Sequence, residues 1–180
     1  MCHSQCQYSD PNEVESFLMD KSKDVEDKII FAEKLISEGQ LRKARAILAP
    51  LVEQSNADAL FLRSTFSISK EETVAEFEKR RIEMLEKAAE LGHAKAAYAL
   101  GLCYEFGDGV ICDKSRAASL FKKSAEGGYP KAKLSYGLDL IYGSNRIPQS
   151  RDLGVVLLKE AAKAGVSEAL GELAALGESV

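Results

Sequence analysis

The fold is decided by residues 87–96, KAAELGHAKA, because this stretch returns twice further along the chain. It recurs as KSAEGGYPKA over residues 123–132 and as EAAKAGVSEA over residues 160–169, at offsets of 36 and 37 residues. Between the copies, YALG at residues 98–101 is matched by LSYG at residues 134–137. Recurrence at a period in the mid-thirties indicates a repeated helix–turn–helix unit.

Turn and cap residues divide the clearest unit into two helices. The sequence predicts a first helix over Ala94–Phe106, which ends at Gly107, and a second helix over Lys114–Glu126. Asp113 is expected to cap the second helix, because its carboxylate can accept from the unpaired amides of the first turn. Pro130 is expected to open the following helix, where its missing N–H costs nothing.

Small residues recur along one face of these helices, with Gly101 and Gly137 at equivalent positions. Small side chains let two helix backbones approach near the short end of the usual ~8–10 Å interaxial distance. One helix pair cannot bury its own apolar face, so neighbouring pairs must stack. The sequence therefore predicts an all-α fold, a right-handed α/α superhelical solenoid of helix–turn–helix repeats, with about four helix pairs.

Residues 99–117, ALGLCYEFGDGVICDKSRA, resemble the Sel1-like repeat, a relative of the tetratricopeptide repeats. That family's pattern is leucine–glycine, tyrosine, glycine-x-glycine-valine, aspartate and then lysine–alanine. The next unit, residues 137–162, keeps the leading glycine and the closing alanines and loses the glycine-x-glycine-valine turn. The resemblance implies a scaffold in a protein complex, from a mostly non-enzymatic family that is frequent in bacteria.

A cysteine-rich secreted branch of this family pairs two cysteines in each repeat. Here Cys103 and Cys112 do not recur in the neighbouring units, so the chain is not assigned to that branch.

Three segments follow from the repeat and from the resemblance. Residues 1–23 are predicted to be a flexible N-terminal segment, residues 24–84 to be degenerate TPR/Sel1-like repeats, and residues 85–180 to be Sel1-like repeats with a C-terminal capping helix. The capping helix is expected over residues 167–176. If it left its last apolar residues uncovered, the chain could form a homodimer through that end of the array.

Composition narrows the function classes. The formal net charge of −4 argues against general nucleic-acid binding, which needs a clustered basic surface. No apolar run is long enough for membrane insertion, and the N-terminus shows no basic region followed by an apolar core. With only four cysteines, the expected location is a reducing cytoplasm.

The candidate chemical groups have simpler explanations. Cys2, His3 and Cys6 include zinc-type ligands, but a tetrahedral site needs four, and incidental thiols in a terminal segment explain them better. Cys112 lies in a predicted turn without an obvious partner to lower its pKa, and His93 is interpreted as a surface turn residue. We therefore predict no enzyme, no catalytic residue, no cofactor and no metal.

The charged run at residues 71–83 reads as a solvated helix. The alternative is a face that binds a partner, with Arg80 and Arg81 directed at an acidic ligand.

The predicted function is to bind a partner protein or peptide on the concave face, which the first helix of each unit lines. Tyr98 is the expected anchor, because tyrosine is frequent at binding hot spots; the alternative is that it packs between units. Leu134 and Ile141 could equally be core. The predicted contacts are Asp58, Phe61, Thr65, Lys95, Tyr98, Glu105, Lys131, Leu134 and Ile141.

Two other functions are compatible with the sequence. One is a specific inhibitor or immunity-type protein that blocks a single enzyme. The other is a hydrolase-like activity, as proposed for cysteine-rich relatives, which would need a reactive Cys112 or a site centred on His93.

Overall fold

The computed structural model describes residues 24–67 and 72–179, and these residues form nine α-helices and no strand. Successive helices form antiparallel pairs, and α9 follows the last pair alone. The helices are α1 (Val25–Ser37), α2 (Leu41–Glu53), α3 (Ala57–Ser64), α4 (Val74–Glu90), α5 (Ala94–Phe106), α6 (Lys114–Glu126), α7 (Pro130–Tyr142), α8 (Arg151–Lys163) and α9 (Ser167–Ala175).

Two predictions concern residues that the structure does not describe: the flexible N-terminal segment, and the interpretation of its cysteines and histidine as incidental. The segment of residues 1–23, with its Cys2, His3 and Cys6, lies outside the described residues.

The predicted ends of α5 and α6 are confirmed. Helix α5 stops at Gly107, whose φ of 75° is the left-handed conformation that glycine adopts without strain. The side chain of Asp113 accepts a hydrogen bond from the backbone N–H of Arg116 at 3.0 Å and so caps α6. Pro130 opens α7 at its first turn. Local turn and cap chemistry therefore fixes the length of each helix.

Within a pair, the helices meet at glycine. A Cβ atom added to Gly101 on α5 would lie 2.6 Å from the ring of Phe121 on α6, which is 1% exposed. In the next pair, a Cβ added to Gly154 on α8 would lie 2.6 Å from the carbonyl oxygen of Gly137 on α7. These positions have no room for a methyl group, so the glycines set the distance between the paired helices.

The apolar core runs along the stack as connected clusters. One cluster lies among α1, α2 and α3, a larger one among α4, α5 and α6, and two smaller ones join α7, α8 and α9. Val52 and Phe61 pack against both of the first two clusters. Each pair therefore buries its apolar face against its neighbours, as a solenoid requires.

Helix α9 covers α8 with Ala169 and Leu173, which are 0% and 1% exposed. Its opposite side leaves Leu170 and Ala174 exposed. Helix α9 therefore covers the core of the preceding pair, and its other side carries exposed apolar residues. The homodimer through this end stays a prediction.

The alternative role of Arg80 and Arg81 in ligand binding does not fit their contacts. Arg80 donates to both carboxylate oxygens of Glu72, at 2.8 and 3.2 Å, and to the carbonyl of Phe66. Arg81 forms a 2.7 Å ion pair with Asp108 in the turn after α5. Both guanidinium groups tie helices to loops, so they are not available to a partner.

The glycine contact gives a stability prediction. We expect Gly154→Ala to lower the free energy of unfolding by about 2 kcal/mol, because overpacking outweighs the ~1 kcal/mol that alanine gains over glycine in a helix. Gly171→Ala on α9 is the matched control, since its added Cβ meets nothing within 4 Å, and it should stabilise by up to about 1 kcal/mol. Urea denaturation measures both; equal effects of the two variants would contradict the close-approach account.

Candidate functional site

The first helices of the units carry one exposed charge each at the same register. The second helical residue of α1, α3, α5, α7 and α9 is exposed in every case, and together they form what we call the charged row: Glu26, Asp58, Lys95, Lys131 and Glu168. The row is acidic at both ends and basic in the middle. Asp58, Lys95 and Lys131 were predicted as partner contacts, and the structure leaves all three open to solvent.

Behind the charged row, a ladder of side chains joins each unit to the next. The ring of Phe61 on α3 stacks on His93, the residue before α5, at 4.7 Å between centroids. The ring of Tyr98 on α5 packs on Tyr129, the residue before α7, at 5.1 Å. In the third step, Leu134 on α7 packs in the cluster of Val166, the residue before α9.

The ladder supports the packing interpretation of Tyr98, and its role as a partner anchor stays a prediction. Its half-buried ring also lies 5.5 Å from that of Phe121. Tyr98 therefore packs between units, as the alternative had it, and Phe61 and Leu134 do the same. These three predicted contacts support the surface from below.

His93 organises the first step of the ladder. Its Nδ1 atom accepts a hydrogen bond from the backbone N–H of Ala96 at 2.9 Å and so caps α5. The proton of the neutral ring therefore resides on Nε2, which lies 3.3 Å from Oδ1 of Asp58. The ammonium group of Lys95 lies 5.3 Å from the centre of the Phe61 ring. His93, interpreted from the sequence as a surface turn residue, is therefore surrounded by three of the predicted contacts: Asp58, Phe61 and Lys95.

Burial lowers the pKa of His93, and the neighbouring carboxylate of Asp58 opposes this effect. The signal for its role was present in the repeat, because His93 occupies the same register as Asn56, which caps α3 through its own side chain.

The remaining predicted contacts differ in burial. Ile141 is 3% exposed and belongs to the core, which confirms the alternative given for it. Glu105 is half-buried, and burial together with the nearby Asp139 carboxylate raises its pKa. Thr65 follows α3 directly and is exposed.

Two aromatic residues that the sequence analysis missed are far more exposed. Phe106 and Tyr142 are 75% and 62% exposed, and they are the last residues of α5 and α7. Each lies eleven residues, or about three helical turns, after the lysine of the charged row on the same helix. The spacing from Lys95 to Phe106 and from Lys131 to Tyr142 was the available signal.

The residues between each lysine and its aromatic complete a stripe along the helix. Steps of four, three and four residues keep side chains on one helical face. We call the two stripes together the inner stripe: Lys95, Ala99, Leu102 and Phe106 on α5, and Lys131, Ser135, Leu138 and Tyr142 on α7. Every intermediate member is half-buried, so the inner stripe is exposed at both ends and half-buried between them.

The turn regions use their polar groups to hold helices together. Glu86 on α4 accepts from the hydroxyl of Tyr104 and from Arg116, both at 3.2 Å, and Arg116 also lies over the Tyr104 ring. After α7, buried Asp139 accepts from the side chains of Ser144 and Asn145. These contacts account for the polar clusters next to the turns.

Neither cysteine in the described ranges has a bonded partner. Cys103 is buried, which raises the pKa of its thiol, and Cys112 is exposed, with its Sγ atom 3.3 Å from the carbonyl oxygen of Glu105. Residues 24–67 and 72–179 hold no group of three or more histidine, cysteine or acidic side chains placed to bind a metal ion. No described helix has both the length and the apolar character needed to span a bilayer.

The Sel1 repeat model matches residues 82–93, 94–129 and 130–166. Residues 82–166 of the chain therefore belong to the Sel1 repeat family, whose members are generally protein-interaction scaffolds. No curated protein matches the sequence.

Solved structures show the same fold at low sequence identity. A Sel1 repeat protein from Oxalobacter formigenes aligns over 83% of this chain and 62% of its own, at 21% identity and a TM-score of 0.70. A protective antigen of uropathogenic Escherichia coli with an SLR fold aligns over 96% of this chain and 38% of its own, at 19% identity and a TM-score of 0.72. The chain thus spans less than two thirds of either neighbour.

Helicobacter pylori cysteine-rich protein B aligns over 84% of this chain and 99% of its own, at 20% identity and a TM-score of 0.53. With these neighbours, the predicted right-handed α/α solenoid is confirmed.

The cap made by His93 predicts a pH dependence. The folded-state pKa lies below the unfolded value of about 6.5. The stability that neutral His93 contributes is therefore fully present above about pH 6.5 and is lost as the pH falls through the folded pKa. His93→Asn keeps a capping side chain and removes the titrating group. We expect the variant to lose less stability than the wild type between pH 8 and pH 5 in thermal denaturation; identical losses would contradict this role.

Proposed function

We propose that the chain is a non-enzymatic interaction module that binds a partner protein or peptide on the face formed by the first helices of its units. The observation that carries the proposal is the inner stripe, whose exposed ends lie on the first helices of two consecutive units: Lys95, Lys131, Phe106 and Tyr142. Exposed aromatic residues and cations on the same face are typical of binding surfaces.

Support also comes from the fixed framework under this surface. The ladder contacts of Tyr98 with Tyr129, and of Phe61 with His93, hold α3, α5 and α7 in register. A surface that is set before the partner arrives loses little conformational entropy on binding. Of the predicted contacts, Asp58, Lys95 and Lys131 are proposed to touch the partner, with Glu105 at the margin and Phe61, Tyr98 and Leu134 supporting them.

The proposed location is the cytoplasm. Support comes from the low cysteine content of the whole chain, four in 180 residues.

Affinity capture with chemical crosslinking from the cells that produce the protein tests the proposal. Lys131→Glu should remove the crosslinks to a partner, because it reverses the charge at the lysine end of the inner stripe. Lys123→Glu is the matched control, since Lys123 is an exposed lysine on the second helix of the same repeat, and it should capture the partner like the wild type.

Loss of the partner from both variants, or from neither, would contradict the proposed face. A single enzyme captured at 1:1 stoichiometry and inactive in the complex would identify the module as a specific inhibitor. Circular dichroism at 222 nm checks that both variants keep the helical fold.

A further inference from the structure

The two ends of the inner stripe differ in chemistry. At one end the ammonium groups of Lys95 and Lys131 are exposed, and at the other end lie the rings of Phe106 and Tyr142. Eleven residues of α-helix separate the ends, which corresponds to about 16 Å. The surface therefore offers two anchor points of different kinds at a fixed distance.

The lysines are free to bind an anion. Neither Lys95 nor Lys131 forms an ion pair in the described part of the chain; Lys95 lies over the Phe61 ring, and Lys131 lies near enough to Glu168 to lower the pKa of that carboxyl. Lys133, two residues after Lys131 on α7, does not face solvent in this way, because it forms a 2.7 Å ion pair with Glu160 on α8. The helices thus separate the lysines that hold the fold from those that face solvent.

The charged row confines an anionic ligand to α5 and α7. Glu26 and Asp58 precede the two lysines along the array, and Glu168 follows them. A carboxylate on the ligand would be repelled at both ends of the row and attracted in the middle. The order of charges along the row therefore favours a negatively charged ligand and places it at α5 and α7.

We infer that the inner stripe binds an extended segment of a partner protein that carries a carboxylate pair and, about five residues away, a bulky apolar side chain. An extended chain rises about 3.3 Å per residue, so five residues span the distance between the lysines and the aromatic rings. The inference rests on the proposed function and specifies the chemistry of the partner.

Both anchors are needed for specific binding. An exposed ion pair contributes little by itself, because water solvates both charges and salt screens them. An apolar side chain that packs against the ring of Phe106 or of Tyr142 removes apolar surface from water but does not fix the direction of the segment. The carboxylate pair at the lysines orients the segment, and the apolar side chain at the rings holds it.

Fluorescence anisotropy with the full chain tests the inference. The probe is a labelled peptide, Gly-Glu-Glu-Ser-Thr-Ser-Thr-Phe-Leu-Gly, and the control peptide has two lysines in place of the two glutamates. We expect saturable binding of the acidic peptide and at least about tenfold weaker binding of the basic one, which corresponds to about 1.4 kcal/mol.

Charge exchange and ring removal locate the contact. The double variant Lys95→Glu/Lys131→Glu should reverse the preference and bind the basic peptide better. The double variant Phe106→Ser/Tyr142→Ser should weaken binding of the acidic peptide about tenfold and keep the sign preference. Lys123→Glu should leave both affinities unchanged. All of these residues are exposed, so the helical circular dichroism should be unaltered.

Equal affinity for the two peptides, an unchanged preference after charge exchange, or no binding of either peptide at millimolar concentration would overturn the inference. These outcomes are separate from failure of the proposed function. If Lys131→Glu abolished partner capture while the acidic peptide failed to bind, the proposed binding face would be supported and the inferred chemistry of the partner segment would be wrong.

Discussion

The structure depends on the close approach of paired helices at glycine. Gly101 admits the ring of Phe121, and Gly154 admits the backbone of Gly137, at distances that a methyl group would not permit. Close contact lets each pair act as a thin, well-packed layer with an apolar face on either side. Stacking of these layers buries the remaining apolar surface, so the separation within one pair sets the geometry of the whole array.

The same stacking determines which residues are left for function. Aromatic rings near the start of α3 and α5 are used to join units through His93 and Tyr129, so they are half-buried and support the surface. Among the described residues, the ends of α5 and α7 have no such aromatic partner, and Phe106 and Tyr142 are exposed there. The proposed binding surface therefore consists of residues that stacking leaves exposed. Its positive charge comes from lysines at the same position in consecutive repeats.

Local sequence was sufficient for the helices and insufficient for their long-range contacts. Gly107, Asp113 and Pro130 act within a few residues of their own position, so the ends of α5, α6 and α7 were predictable. The pairing of Arg80 with Glu72 and the pairing of Arg81 with Asp108 depend on how a loop returns to a helix. Sequence spacing does not encode that geometry directly.

The candidate site was predictable in part for the same reason. The register of the repeat identified Lys95 and Lys131, because each lies six residues before a close-packed glycine, Gly101 or Gly137. The prediction left Ile141 open between groove and core and overlooked Tyr142, although these residues are neighbours in sequence. A rotation of 100° per residue separates a buried from an exposed position on a helix, so a choice that is wrong by one residue exchanges core for surface.

Hydrogen–deuterium exchange of the full chain, measured alone and with its captured partner, shows which helices the partner covers. We expect the partner to slow exchange in residues 94–106 and 130–142, which carry the inner stripe, and to leave exchange in residues 114–126 and 151–163 unchanged. Protection confined to those second helices would contradict this expectation, because the working surface would then lie on the outer layer of the solenoid.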